Sequence, residues 1–375
     1  MSEREKIRRE KFFSVLERER LDGALIVDPT NVSYLTGFNG DDSYLWVGDE
    51  GVCLLSDSRF EEQIKIESPD LDALIRRSGT TTLELMKSAL ETKSYSSRVP
   101  KRVGIEAAAT TVSLWFQLQK LFPEIEFVPL DSSVEKLREI KDEGEILAIR
   151  EAIEVSIDAY LETKSTIGVD ATEVDLRDEL EYRMRKRGGD DVSFPSIVAF
   201  DDRAALPHAI PNRGKRIADS SMILIDWGAK KNGYVGDLTR SFLTDKGLSD
   251  SSQSREYRAK FDELFEIVLS AHDAAIAAIK PGVSCRDIDK IARDAIASAG
   301  YGDYFGHGLG HGIGRVVHDS GGFSPRAEGV LEPNMILTVE PGVYLPGWGG
   351  IRIEDDVLVV EGGSEILSRR LSPRD

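Results

Sequence analysis

The chain has 375 residues and a net charge of −18 at pH 7, from 48 Lys and Arg against 66 Asp and Glu. That length exceeds one ordinary hydrophobic core and points to two domains, and a composition 41% hydrophobic and 30% charged is that of a globular chain. So acidic a surface repels phosphate backbones, which argues against a nucleic-acid partner, and no apolar run approaches the roughly 20 residues that span a bilayer.

The N-terminal stretch MSEREKIRREKFFSVLERERLDG is heavily charged and lacks the apolar centre of a secretory signal, so a cytoplasmic location is expected. Ile7, Phe12, Phe13 and Leu16 make residues 3–20 an amphipathic helix. A buried strand at 24–27 follows, then a loop with a helical turn at 31–38 (NVSYLTGF), a hairpin of 44–47 with 52–55, and SDSRF at 56–60. Residues 81–90 read as a helix, 102–106 (RVGIE) as a strand, 111–121 as a helix and 125–128 as a strand. This alternation makes residues 1–132 an α/β domain and leaves 133–375 as a second, α+β domain. Cys53 and Cys285 fall in different domains and read as small buried thiols.

The second domain opens with a long charged helix at 134–167 and a helix at 171–187, capped by Asp170 and stopped at Gly188-Gly189. Met222, Leu224 and Ile225 then lead as a strand into LIDWGAKKNGYVGDLTRSF at 224–242. Asn232-Gly233 is a two-residue hairpin signal, because both residues tolerate positive φ. A turn there sets Lys231 opposite Tyr234, Gly228 opposite Asp237 and Asp226 opposite Thr239. Asp226 and Asp237 then share a face as diagonal neighbours, with Cβ atoms roughly 7 Å apart. Two bare carboxylates converging in this way repel unless a cation sits between them. A polar loop at 245–256, helices at 257–279 and 285–298 (the second capped by Ser284), and strands with glycine-rich turns from 304 complete the chain.

Of the five histidines, His272 falls mid-helix and reads as structural. His208 lies in ALPHAIP, His307 and His311 in GHGLGHGIG, and His318 in VVHDS. Glycine lets backbone and ligand approach closely, and an extended 307–313 would put His307 and His311 on one face. The same glycines argue against a helical zinc-binding HxxxH. In LTVEPGVYLPGWGGIRIEDD, residues 337–356, Glu340 and Glu354 fall on two antiparallel neighbours joined by a loop. Arg352 shares Glu354's face, where it could orient that carboxylate or hold a substrate group. Asp226, Asp237, His311, Glu340 and Glu354 together form an oxygen-rich donor set. It suits a pair of divalent ions (Mn²⁺, Co²⁺, Fe²⁺ or Zn²⁺) better than one tetrahedral zinc. Two such ions about 3.5–4 Å apart deprotonate a water and polarise a carbonyl, which is hydrolytic chemistry.

These motifs resemble the pita-bread metallopeptidases, the family of creatinase, aminopeptidase P, prolidase and methionine aminopeptidase. The likeness rests on the Asp226/Asp237 spacing, glycine-flanked His311, E-P-G-x-Y at 340–344 and R-I-E-D at 352–355, with FPSIVAF…ALPH at 194–208 ahead of them. NVSYLTGF, SDSRF and VGIE are similar to pieces of the creatinase-type N-terminal domain, which methionine aminopeptidases lack. The resemblance implies a creatinase-type N-terminal domain before a pita-bread catalytic domain. It further implies a di-metal exopeptidase, with Mn or Co favoured, that hydrolyses Xaa-Pro bonds through a metal-bridged water. In that scheme Asp226 chelates one metal, His311 and Glu340 the other, and Asp237 and Glu354 bridge. Glu340 relays a proton, His208 and His318 line the substrate site and stabilise the tetrahedral intermediate, and His307, Tyr344 and Arg352 serve the same pocket. Small peptides with proline second are the implied substrates, and a homodimer the implied assembly. A metal-free creatinase-like amidinohydrolase and a non-enzymatic binding protein are the alternatives, and the intact set of five donors argues against both. The chain departs from the family after His318: Asp319-Ser320-Gly321-Gly322 has glycine where some prolidases carry an arginine for the dipeptide carboxylate, with Arg326 nearby. Dipeptidase and aminopeptidase therefore both stay open.

Overall fold

Strands and helices alternate through the first part of the chain and join into a six-stranded sheet. Its order is Ala73–Arg76, Val52–Asp57, Tyr44–Gly48, Gly23–Ile26, Arg102–Glu106, Glu126–Leu130. Gly23–Ile26 pairs antiparallel with Tyr44–Gly48 and parallel with Arg102–Glu106, so the sheet is mixed. Phe12, Leu35 and Leu45 fill the core on one side, and Trp46, Met86 and Leu118 the core on the other. This unit ends at Leu137, and a second spans Arg138–Asp375, in a computed structural model that describes residues 3–375. Among the described residues no helix is long and apolar enough to cross a membrane, and both cysteines are buried free thiols.

Several elements differ from the sequence reading, each for a local reason. Residues 31–38 are not a loop: a helix Pro29–Thr36 starts at Asp28, whose side chain accepts from the Asn31 N–H, and stops at Gly37 with φ 78°. The expected helix 134–167 is broken into Ser133–Glu139 and Glu143–Thr166. Asp142 caps the second piece and Glu145 returns the bond to the Asp142 N–H, a reciprocal cap strong enough to begin a new helix. The next helix, Glu173–Lys186, is capped by Thr172 with Asp175 rather than by Asp170. The polar loop at 245–256 contains a helical turn Asp245–Leu248, and the following helix already begins at Ser252 behind Ser251. Ser284 holds the N-cap position of Cys285–Ser298, without a side-chain capping bond.

The second unit sets two helix pairs against a set of antiparallel sheets. Met222–Trp227 lies between Ile197–Phe200 and Leu238–Leu243. The hairpin has the expected register, Lys231 opposite Tyr234 and Asp226 opposite Thr239, with Asn232 at φ 52° and Gly233 at φ 76°. Alternation sends Ile223, Ile225 and Trp227 into a core with Ile153, Tyr160 and Leu180, and Met222 and Leu224 into a core with Phe265 and Val268. Trp227 stacks on Tyr160 at 4.3 Å and donates Nε1–H to the Ser156 carbonyl, which pins the carboxylate-bearing hairpin to the helix Glu143–Thr166. A Cβ on Gly228 would overlap the Gly236 carbonyl oxygen, so only glycine lets the two arms close between Asp226 and Asp237. The second sheet orders Asp319–Phe323, Gly310–Gly312, Ile336–Val339, Asp355–Val360 and Gly363–Ile366. A bridge between Thr239 and Glu354 joins it to the hairpin.

Candidate metal centre and active-site cavity

Glu340 and Glu354 stand at strand ends rather than within strands. Ile336–Val339 pairs with Asp355–Val360 with Val339 opposite Asp355, and the same register continued sets Glu340 opposite Glu354. The segment between them is a separate hairpin, Gly342–Leu345 with Gly349–Arg352. Through the Thr239–Glu354 bridge the Asp226/Asp237 hairpin meets this pair edge to edge. One ligand atom each from Asp237, His311 and Glu354 lies within 4.8 Å of the others. His311 Nε2 is 3.4 Å from Glu340 Oε1 and 3.6 Å from Asp237 Oδ2. Asp226 adds a carboxylate with one buried oxygen, Oδ1, that has no hydrogen-bond partner among the described residues, and Asp237 Oδ1 is in the same condition.

The expectation that His307 and His311 share a strand face fails. The strand is only Gly310–Gly312, and its register shifts between His311 and Gly312, so alternation cannot be carried back to 307. His311 turns its Nε2 to the carboxylates while Nδ1 meets the Gly312 carbonyl at 3.1 Å, which assigns the proton to Nδ1 and leaves the Nε2 lone pair free for a cation. His307 does something else: Nδ1 meets the Gly308 carbonyl and Nε2 accepts from the Tyr344 hydroxyl at 2.9 Å. Arg352 Nη1 donates to that hydroxyl at 2.8 Å and Nη2 donates to Asp226 Oδ2 at 2.6 Å. Arg352 therefore orients Asp226 directly and reaches Glu354 only through Thr239, which takes its Nε–H at 3.0 Å and donates to Glu354 Oε2 at 2.6 Å. His318 sets its ring edge-to-face against His311 at 4.4 Å, and His208 lies across the cavity, both exposed.

Burial dominates the electrostatics. It pushes Glu340 up to about 8, with the Asp226 charge adding to it and Arg352 opposing. Asp237 and Glu354 are held well above the ordinary carboxylate range by burial and by the neighbouring acids. Burial lowers His311 and His307 to about 4, so both rings are neutral at pH 7. Carboxyls that resist ionising in one another's company, a neutral imidazole and two unpartnered buried oxygens are the donor set of a divalent-cation site. The residues present fit such ions.

Three supporting groups escaped the sequence reading. Asp356, fully buried, accepts the Asp237 N–H at 3.0 Å. Thr239 and Thr338 each carry a hydroxyl onto a glutamate, Thr338 donating to Glu340 Oε1 at 3.3 Å and accepting from the His311 N–H at 3.0 Å. Asp356 directly follows the R-I-E-D motif, and the register Thr338 opposite Asp356 is the signal that marks it. The cavity above these groups has a volume of about 830 Å³ and is also lined by Phe194, Pro211 and Arg177. Arg326, by contrast, is exposed and lies outside the lining.

Comparison with known proteins bears on the family and the fold. Residues 148–361 match the model of metallopeptidase family M24, and residues 8–140 match the creatinase/prolidase N-terminal domain. An uncharacterized peptidase of Bacillus subtilis (strain 168) is 35% identical, over 98% of both chains. A Xaa-Pro dipeptidase from Bacillus anthracis superposes with a TM-score of 0.88 at 32% identity, covering 99% of each chain. An X-Pro aminopeptidase from Thermotoga maritima gives 0.82 at 35% identity, covering 96% of this chain and 98% of its own. A prolidase from Pyrococcus horikoshii gives 0.85 at 31%, covering 96% and 97%. The chain, a creatinase-type N-terminal domain followed by a catalytic domain of the M24 fold, belongs to metallopeptidase family M24.

Proposed function

We propose that the protein is a di-metal exopeptidase that hydrolyses Xaa-Pro bonds in dipeptides or at peptide N-termini. One observation carries the reading: ligand atoms of Asp237, His311 and Glu354 lie within 4.8 Å of one another in a cavity that Asp226 and Glu340 also line, and Oδ1 of Asp226 and of Asp237 has no hydrogen-bond partner among the described residues. Asp226, Asp237, His311, Glu340 and Glu354 would hold the ions, with Mn²⁺ or Co²⁺ favoured. When bound, they supply positive charge that polarises the scissile carbonyl and makes water nucleophilic at neutral pH.

The chain's own residues do the rest. Glu340 takes the proton from the attacking water and passes it to the leaving amine, as a carboxylate beside that water can. His208 and His318 face the space above it and offer N–H donors to the oxygen that gains charge. Arg352, Tyr344 and His307 form one hydrogen-bonded chain that fixes Asp226 at one end and the cavity wall at the other. A proline at the second position brings a fixed φ and no N–H. The apolar wall of Phe194, Pro207 and Pro211 suits such a ring. The domain division at residue 132, a cytoplasmic location and a homodimer complete the reading, on the charged N-terminal sequence and the family resemblance.

Titration of chelator-stripped protein with Mn²⁺ tests the centre. Uptake of two ions per chain in the wild type, and of fewer in Asp237→Asn, supports the reading. A wild type that takes up one ion or none contradicts it.

A further inference from the structure

We propose that Arg293, paired with Asp289, is the positioning residue for His307, setting that side chain in the cavity wall where the peptide meets it. The role rests on the Xaa-Pro reading above. Neither residue of the pair lines the cavity itself.

The segment that carries His307 has little of its own to hold it. Residues 305–309 lie between the helical turn Gly302–Tyr304 and the strand Gly310–Gly312, and belong to neither. Gly306 and Gly308 flank the histidine, and a Cβ on Gly306 would meet nothing within 4 Å. Two glycines around one residue leave its backbone wide freedom, which a positioned side chain has to lose. The His307 ring is nonetheless placed closely enough to meet the Tyr344 hydroxyl at 2.9 Å.

The helix Cys285–Ser298 supplies the missing order. Asp289 and Arg293 stand one turn apart on it and form an ion pair, Nε to Oδ2 at 2.9 Å and Nη2 to Oδ1 at 2.8 Å. The Asp289 side chain is only 2% exposed. The remaining donor capacity of the guanidinium goes to the glycine-rich segment. Nη1 donates to the Phe305 carbonyl at 3.0 Å and Nη2 to the His307 carbonyl at 2.8 Å, while Asp289 Oδ1 accepts the Leu309 N–H at 3.1 Å. Residues 305, 307 and 309 are thus held at alternate positions, as along a strand edge, by an ion pair instead of a neighbouring strand. The guanidinium also lies over the Phe305 ring, 4.4 Å from its centroid, and that ring meets His307 edge-to-face at 5.1 Å. Arg293 therefore acts on His307 through its backbone and, by way of Phe305, through its ring. A lysine does not reproduce this, because an ammonium directs its donors from one point and a guanidinium spreads them across a plane.

The test is a double-mutant cycle on the metal-loaded protein, with whichever of Ala-Pro and Ala-Pro-Ala the wild type cleaves better. Arg293→Lys keeps the charge beside Asp289. Arg293→Met combined with Asp289→Asn removes both charges, so no buried ion is left alone. Each is made with His307 present and in His307→Ala, and melting curves and Mn²⁺ uptake are recorded beside kcat and KM. Both forms should keep the wild-type Mn²⁺ uptake and raise KM about tenfold with kcat changed less than about twofold, since the substrate wall is displaced and the metal-binding groups are not. In His307→Ala the same changes should raise KM by less than about twofold, because the residue they act through is gone. If the neutral pair does not fold, Arg293→Lys decides alone. An unchanged KM, a fall in kcat at unchanged KM, or an equal rise in KM with and without the His307 side chain would each overturn the proposal while leaving the Xaa-Pro reading standing. A wild type that cleaves neither peptide would remove the reading beneath it.

Discussion

Glu340 leaves its strand where the chain turns through Pro341-Gly342, and its carboxyl faces His311 Nε2 at 3.4 Å. Burial raises it to about 8, and a divalent cation held beside it would lower it again and keep the carboxylate ionised to accept a proton. Glu340→Gln keeps the shape and removes the titration. Peptide hydrolysis should fall by about 10²–10⁴-fold with the melting curve little changed, and a fully active variant would take Glu340 out of the mechanism. Thr239 acts one step further out. Thr239→Val leaves Glu354 without its hydroxyl donor and the Arg352 Nε–H without its acceptor, so Mn²⁺ affinity measured by calorimetry should drop about 10–100-fold. The acids that converge on the cavity floor were legible because their spacing follows hairpin register and short motifs. Thr239 was not legible as a support, because its partner Glu354 lies 115 residues away and only tertiary pairing shows the contact.

Elements were legible where the signal is local. Asn232-Gly233 fixed the register of the hairpin through backbone conformation alone, and the structure follows it pair by pair. The break between Glu139 and Glu143 was hidden by a continuous run of helix-forming residues, in which the reciprocal cap of Asp142 and Glu145 outweighs propensity. How strands end was hidden as well, since the bridge that draws Thr239 to Glu354 is not a property of either segment. Fully buried Arg240 holds the joint together: it donates to the Glu354, Leu371 and Ser372 carbonyls and to Asp355 Oδ1, while Asp355 also meets His272 and Ser368. Burial alone would raise Asp355, and the Arg240 charge together with the bonds to His272 and Ser368 outweighs it and holds the acid well below its usual range. Arg240→Met leaves that carboxylate buried beside fewer donors, and urea unfolding should show a loss of about 3–5 kcal/mol. In the N-terminal unit, Glu106 closes a different joint by accepting the Val27 and Asp28 N–H groups and Asn31 Nδ2. Burial lifts it from 4.5 to about 7 against those donors. A raised acid contributes stability that is full below pH 4.5 and is lost as pH rises through about 7. Urea unfolding should therefore show wild-type stability falling by on the order of 3 kcal/mol from pH 4.5 to pH 8, with the slope flattened in Glu106→Gln. An equal slope in both proteins would count against this assignment.

At the scale of the whole molecule, the catalytic unit closes one cavity over a set of mutually repelling acids, so the ions that fit there also bind its fold together. Chelation should lower the melting temperature, and refilling with Mn²⁺ should restore it, each bound site adding about 2.7 kcal/mol of stability at a free ion concentration 100 times Kd. The division into two units was legible from the change of pattern along the chain, and the family from motifs spread over most of it. The central claim is metal-dependent cleavage beside proline. It is tested most directly by hydrolysis of Ala-Pro, Ala-Pro-Ala and Ala-Ala on protein stripped with a chelator and then refilled with Mn²⁺, Co²⁺ or Zn²⁺. The stripped protein should cleave none of the three, and metal should restore cleavage of the two proline peptides but not of Ala-Ala. Cleavage that survives stripping, or a metal-loaded protein that leaves both proline peptides intact, would contradict it.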